Sequence, residues 1–216
     1  MIRIIELGLK CSYERGGKMR KKVYIILSNT GTLFSKAIGL YTRKELNHTS
    51  IAFDEELHEM YSFGRKSSHN PFNGGFVREN PVEGLYQKAT CAIYECEVTA
   101  AEYMRMKNKI TQMEQHKQIY KYNLIGLVLV AMNIEMERKH AFFCSQFVAT
   151  IMSECPSSRL HVAPPLAQPH HFEQLPALTL KYKGNLQTYV SSKREIEEPI
   201  HVSTWRKYVL PKASFM

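Results

Sequence analysis

The chain has 216 residues, of which 44% are hydrophobic and 23% charged, enough apolar material for one domain with a full core and too much for a disordered chain. Lys and Arg outnumber Asp and Glu by 29 to 20, giving a formal net charge of +9. A basic surface attracts anions such as nucleic acid, anionic lipid head groups or teichoic-type polymers, but here the charge is spread over short clusters at Lys18–Lys22, Arg105–Lys109, Lys181–Lys183 and near Arg206, the pattern of ordinary solvated faces.

In chain order, residues 1–21 read as a weakly structured leader. They lack the apolar run and cleavage site of a signal peptide, so a cytoplasmic protein is expected. Lys22–Ser28 reads as a buried strand, Asn29–Thr32 as a turn, and Leu33–Thr42 as a short helix with Leu33, Ala37, Ile38 and Tyr41 on one face. Two β-rich runs in His48–Gly64 flank Asp54–Leu57, the pattern of a hairpin. The turn-rich loop Arg65–Gly75 follows, then Phe76–Glu79 as a short strand or a flap over a site. Ala89–Val98 reads as a strand. Thr99 with Glu102 forms a capping box for a helix to about His116, and a second helical stretch covers about Tyr122–Glu137. The strongest apolar run within it, Leu124–Met132, is too short to span a bilayer. After Cys144, residues Phe147, Val148, Ile151 and Met152 recur at helical spacing up to Pro156. A proline-rich connector, Val162–Pro176, leads to two expected closing strands, Leu178–Tyr182 and Leu186–Val190. The layout is α+β, an antiparallel sheet packed against helices, with one domain over residues 22–190 and a C-terminal extension over 191–216.

The chemistry centres on one cysteine and one histidine. Five cysteines are present, an odd count without zinc spacing, and in a cytoplasm they stay reduced. Cys91 and Cys96 lie five apart in a strand, so they face opposite sides and read as core fillers. Cys144 differs: it begins an amphipathic helix whose free N–H groups point at its sulfur. A thiol attacks carbonyl carbon as the thiolate, and a helix N-terminus or a nearby imidazolium favours that form. The same N–H groups suit an oxyanion. His48 opens a strand in which His48, Ser50 and Ala52 share one face and Ile51 and Phe53 the other; the small neighbours leave room for a substrate and a second side chain. The remaining histidines are poorer candidates: His69 lies in a loop, His170 and His171 sit among prolines, and no pair has metal-ligand spacing. Ser28 and Ser145 lack nucleophile-elbow glycines. No cofactor or metal is expected.

At these residues the chain resembles the circularly permuted papain-like hydrolases related to NlpC, especially the YiiX-like branch, and more distantly the lecithin:retinol acyltransferase group. The matching segments are NHTSIAFD around His48, the hairpin strand HEMYSFGR, and FFCSQFVA around Cys144. Softer matches are Tyr122–Leu127 and Tyr182–Leu186. The resemblance covers roughly residues 22–189. It implies a permuted papain-like fold, with His48 and Cys144 as the catalytic pair and a third residue that orients the imidazole, usually His or Glu in the family.

A two-residue turn at Glu55-Glu56 would pair Phe53 with His58, Ile51 with Met60 and Ser50 with Tyr61. Tyr61 then shares the face of His48, diagonal to it, and is the expected third residue. Glu59 shares that face farther along. A slip of one residue would replace both with Ser62. Arg65, Lys66 and the segment Gly74–Phe76 are expected to line the cleft. The chemistry implied is a peptidase- or amidase-type thiol hydrolase acting through a thioester on a small-molecule, peptide or lipid substrate, with an anionic one favoured by the basic rim. Two alternatives are a lipid-directed acyltransferase on the same fold and a non-catalytic basic nucleic-acid-binding protein. The second lacks a recognisable reading motif and is disfavoured.

Overall fold

The computed structural model describes residues 19–30, 45–65, 74–123, 126, 129–130, 134–136 and 138–197, apart from the side chains of residues 65, 85 and 195–197. Most of the expected leader, the helix at Leu33–Thr42 and half of the second helical stretch lie outside the described residues; Arg20 and Lys21, expected in the leader, belong to a strand, as does Tyr122, expected in a helix.

A six-stranded antiparallel sheet organises the chain, in the order β4-β3-β2-β1-β5-β8. Its strands are β1 (Arg20–Asn29), β2 (His48–Ala52), β3 (Met60–Arg65), β4 (Gly74–Glu79), β5 (Thr90–Thr99) and β8 (Thr179–Asn185). β1 is central because Val23–Leu27 is apolar on both faces and wholly buried. One face presents Val23, Ile25, Leu27, Ile51, Phe53, Tyr61, Phe63, Phe76 and Cys96 to a core closed by helices α1 (Ala100–Gln115) and α2 (Cys144–Met152). The opposite face presents Tyr24, Ile26, Ala52, Met60, Cys91 and Ile93 to a second, smaller core closed by Tyr86 and by Leu186, Tyr189 and Val190 of helix α4 (Leu186–Glu197). Cys91 and Cys96 thus fill different cores, as their spacing requires. The fold is α+β.

The capping box at Thr99 is formed: the Thr99 hydroxyl accepts from the Glu102 N–H, and the Glu102 carboxylate accepts from the Thr99 N–H at 2.8 Å. Met106, Ile110 and Met113 then recur on the buried side of α1. A short parallel pair, β6 (Lys121–Tyr122) and β7 (Ala141–Phe142), delivers the chain into α2. A one-turn helix, α3 (Pro169–Glu173), interrupts the proline-rich connector.

Two further expectations about elements change. The segment Leu186–Val190 is helix, not strand. Asn185 Oδ1 accepts the Thr188 N–H and caps the helix start, and Leu186, Tyr189 and Val190 face the core at helical spacing. α4 continues to Glu197, so residue 190 falls inside a helix. The hairpin between β2 and β3 closes through a longer loop than Glu55-Glu56 alone: the Asp54 carboxylate accepts the N–H groups of His58 at 2.7 Å and Glu59 at 2.6 Å, and Leu57 adopts φ 62°. This loop pairs Ile51 with Tyr61 and Ala52 with Met60, one residue away from the two-residue-turn register.

Candidate active site

His48 begins β2, next to Ser28 of β1. Its ring lies on the sheet face opposite the larger core and keeps 18% side-chain exposure. Cys144 is the first residue of α2, after Phe143 in extended conformation. The first turn of α2 is fixed from two sides: Ser145 Oγ donates to the Ala167 carbonyl at 2.7 Å, and the Phe147 N–H donates to the Phe143 carbonyl at 3.0 Å. Phe143 itself is fully buried. These anchors bring the Cys144 sulfur into hydrogen-bond contact with the His48 ring, and the backbone N–H groups of Thr49 and Ser145 also point at the sulfur.

The third side chain is Glu79, the last residue of β4. His48 Nε2–H donates to Glu79 Oε1 at 2.9 Å, so Nδ1 is the ring nitrogen left for the sulfur. Ser50 Oγ and Ser62 Oγ donate to the two oxygens of the same carboxylate. The carboxylate keeps 7% side-chain exposure. It belongs to the His48 face because side chains alternate along a strand: Gly75, Val77 and Glu79 point one way, Phe76 and Arg78 the other. Gly64 leaves the space for this cluster. A Cβ there would lie 3.3 Å from Ser62 Oγ, 3.6 Å from His48 Cε1 and 3.8 Å from Glu79 Oε1.

Three charges share this small volume, and their protonation follows from who faces whom. Burial alone would depress the His48 pKa, but the Glu79 charge, then the Cys144 sulfur, outweigh it and hold the imidazole up at about 10. Burial would raise the Glu79 pKa, yet the His48 charge and the bonds from His48, Ser50 and Ser62 hold it below the usual carboxylate value. Burial likewise opposes the Cys144 thiolate, and the His48 hydrogen bond and charge, with the Thr49 and Ser145 N–H groups, bring its pKa below that of a free thiol. Cys91 is the contrast: with burial alone acting on it, its pKa is pushed up to about 12. Burial also dominates at Cys96, which is raised.

Comparison with family models, with curated proteins and with solved structures finds no match to the chain.

The structure brings together Cys144 and His48. It does not bring Tyr61 to them. In the observed register Tyr61 faces the larger core, edge-on to Phe53 and stacked on Phe76 with ring centroids 5.8 Å apart. The slip that moves Tyr61 away also puts Ser62 on the His48 face, where it binds Glu79. Glu59 is drawn off by Lys107, 2.6 Å away. Of the expected cleft lining, the Arg65 side chain and Lys66 lie outside the described residues, and Phe76 is buried in the core. The signal for Glu79 was the alternation in GGFVRE, which puts one carboxylate on the face opposite Phe76.

Among the described residues, Asp54, Glu56 and His58 are a group whose ligand atoms come within reach of a shared cation. Asp54 is already held by the amides of the hairpin loop. No helix among the described residues is long and apolar enough to cross a membrane.

Proposed function

We propose that the protein is a thiol hydrolase of the amidase or peptidase type, with Cys144 as nucleophile, His48 as general acid and base, and Glu79 as the residue that orients His48. The observation that carries this reading is a half-buried imidazole held between a sulfur and a carboxylate, with the sulfur at a helix N-terminus. A structural cysteine has no use for that arrangement, which disfavours the neutral, inert thiol.

The Cys144 thiolate attacks the carbonyl carbon of an amide or ester. The first N–H groups of α2 have no carbonyl partner within the helix and suit the developing oxyanion. His48, protonated at Nδ1, gives that proton to the leaving amine or alcohol, and a thioester remains on Cys144. His48 then takes a proton from water, which attacks the thioester and releases the acid. Glu79 stays ionised throughout and holds Nε2–H, so the ring presents Nδ1 to the reaction. The His-before-Cys order, with His48 on a strand and Cys144 at a helix start, supports a permuted papain-like arrangement.

The basic clusters argue less well for a nucleic-acid-binding protein. Lys22 and Lys181 both pair with Glu95, Arg105 and Lys109 with Glu154, and Lys107 with Glu59, so their charge is partly spent within the molecule.

The test is acyl-enzyme trapping. The protein is mixed with activated esters and anilides of acidic and neutral acyl groups, quenched in acid, and digested for mass spectrometry. The expected result is an acyl adduct on the Cys144 peptide that is absent in Cys144→Ser. Turnover without an adduct, or an equal adduct on every thiol, contradicts the reading. Adding amine or alcohol acceptors to the same reaction separates a hydrolase from a lipid-directed acyltransferase.

A further inference from the structure

We propose that Tyr86 is a positioning residue of the Cys144–His48–Glu79 site, and that α4 holds it there through Gln187. The inference rests on the thiol-hydrolase reading and gives the C-terminal helix a part in it.

Tyr86 ends a single 3-10 turn, Gly84–Tyr86, between β4 and β5. Gly84 adopts φ 59°, a conformation that favours glycine. The Tyr86 side chain is 6% exposed. Its ring centroid lies 6.3 Å from that of His48, at an interplanar angle of 49°, so the phenol walls the imidazole on one side. Its hydroxyl faces the Glu79 carboxylate and Ser50. Burial, then the Glu79 charge, keep the phenol protonated well above its ordinary range, so it acts towards the carboxylate as a donor. Glu79 accepts hydrogen bonds from His48, Ser50 and Ser62, and the Tyr86 hydroxyl stands beside it as a further donor.

The turn does not hold itself in place. Gln187 Nε2 donates to the Pro81 carbonyl at 2.6 Å and to the Tyr86 carbonyl at 3.2 Å. The Leu186 N–H donates to the Ala89 carbonyl at 2.9 Å. The first turn of α4 thus clamps both ends of the segment that carries Tyr86.

A donor to a carboxylate favours its ionised form. Without the Tyr86 hydroxyl a proton enters Glu79 at a higher pH. A neutral Glu79 no longer supports the His48 imidazolium, and the Cys144 thiolate is lost with it. The readout is the rate of Cys144 alkylation by iodoacetamide as a function of pH, in wild type, Tyr86→Phe and Gln187→Ala. Tyr86→Phe keeps the ring and removes the donor, and its acid-side inflection should move up by about one pH unit. Gln187→Ala, outside the chemistry, should move it in the same direction by less, and serves alone if Tyr86→Phe does not fold. A reactive wild-type thiol whose inflection stays put in the folded variants overturns the role of Tyr86 and leaves the catalytic pair standing. A wild-type Cys144 that titrates like a free thiol overturns both.

Discussion

Glu79 sits in register with Met60 on the neighbouring strand, yet its carboxylate runs back across the sheet face to meet His48 Nε2 at 2.9 Å. The carboxylate is less exposed than the ring it holds, so its charge acts on His48 with little solvent screening. Glu79→Gln removes that charge and leaves a group unable to accept all the donors around it. Cys144 alkylation at neutral pH should slow about 10- to 100-fold, the rate equivalent of losing a charged hydrogen bond of roughly 1.5–3 kcal/mol. Stopped alkylation followed by peptide mass spectrometry measures this.

The pair makes a specific mark on stability against pH. The His48 pKa rises from 6.5 to about 10 on folding, so its stabilisation is complete below 6.5 and is lost as pH rises through about 10. The Cys144 pKa falls from 9.0, so its stabilisation is present above 9.0 and is lost as pH falls through the folded value. Just below pH 9.0, folded and unfolded states then hold equal numbers of protons on the pair, and its contribution is level. The alkaline fall is confined to the interval between 9.0 and about 10. In Cys144→Ala the opposing titration is gone, and the fall should begin near 6.5. Urea unfolding across this range distinguishes the two curves.

The β2–β3 register separates Ser62 from Tyr61. Ser62→Ala removes a donor to a buried charge and should slow Cys144 alkylation by about tenfold. Tyr61→Phe should leave alkylation unchanged, because its phenol faces the other core. Equal effects from the two variants would mean that the strand pairs in the other register.

Gly64 is open only to the catalytic cluster. In Gly64→Ala the new methyl presses on Ser62 Oγ by a few tenths of an ångström and comes into ordinary contact with His48 Cε1. Alkylation should slow roughly 2- to 10-fold, short of the ~100-fold that a 1 Å misplacement costs. Gly64→Val should do more. Near-wild-type melting temperatures in both would show that the effect is local.

Cys144 and His48 each open a regular element, with polar and small residues alternating after His48 and apolar residues recurring at helical spacing after Cys144, but that spacing is a weak signal alone, and the family resemblance of the flanking segments is what joined them as a pair. The capping box at Thr99 was legible from its spacing. Glu79 was not, because it meets His48 diagonally over Ser50 and Ser62, and that geometry depends on a register set by Asp54 capturing two amides in the hairpin loop. The helix at Leu186 was read as a closing strand, although Asn185 is a favoured N-cap residue and the apolar residues fall at i, i+3 and i+4. Tyr86 had no sequence signal: a lone aromatic in a turn gains meaning only when the segment folds against α4.

The most direct test of the account is the pH dependence of alkylation at all five cysteines, resolved by peptide mass spectrometry in wild type and His48→Ala. The account predicts that Cys144 reacts at neutral pH ahead of the rest, with an inflection below that of a free thiol, and that His48→Ala moves the inflection up towards the free-thiol value. A Cys144 that reacts no faster than Cys91, or whose profile is the same without His48, would contradict it.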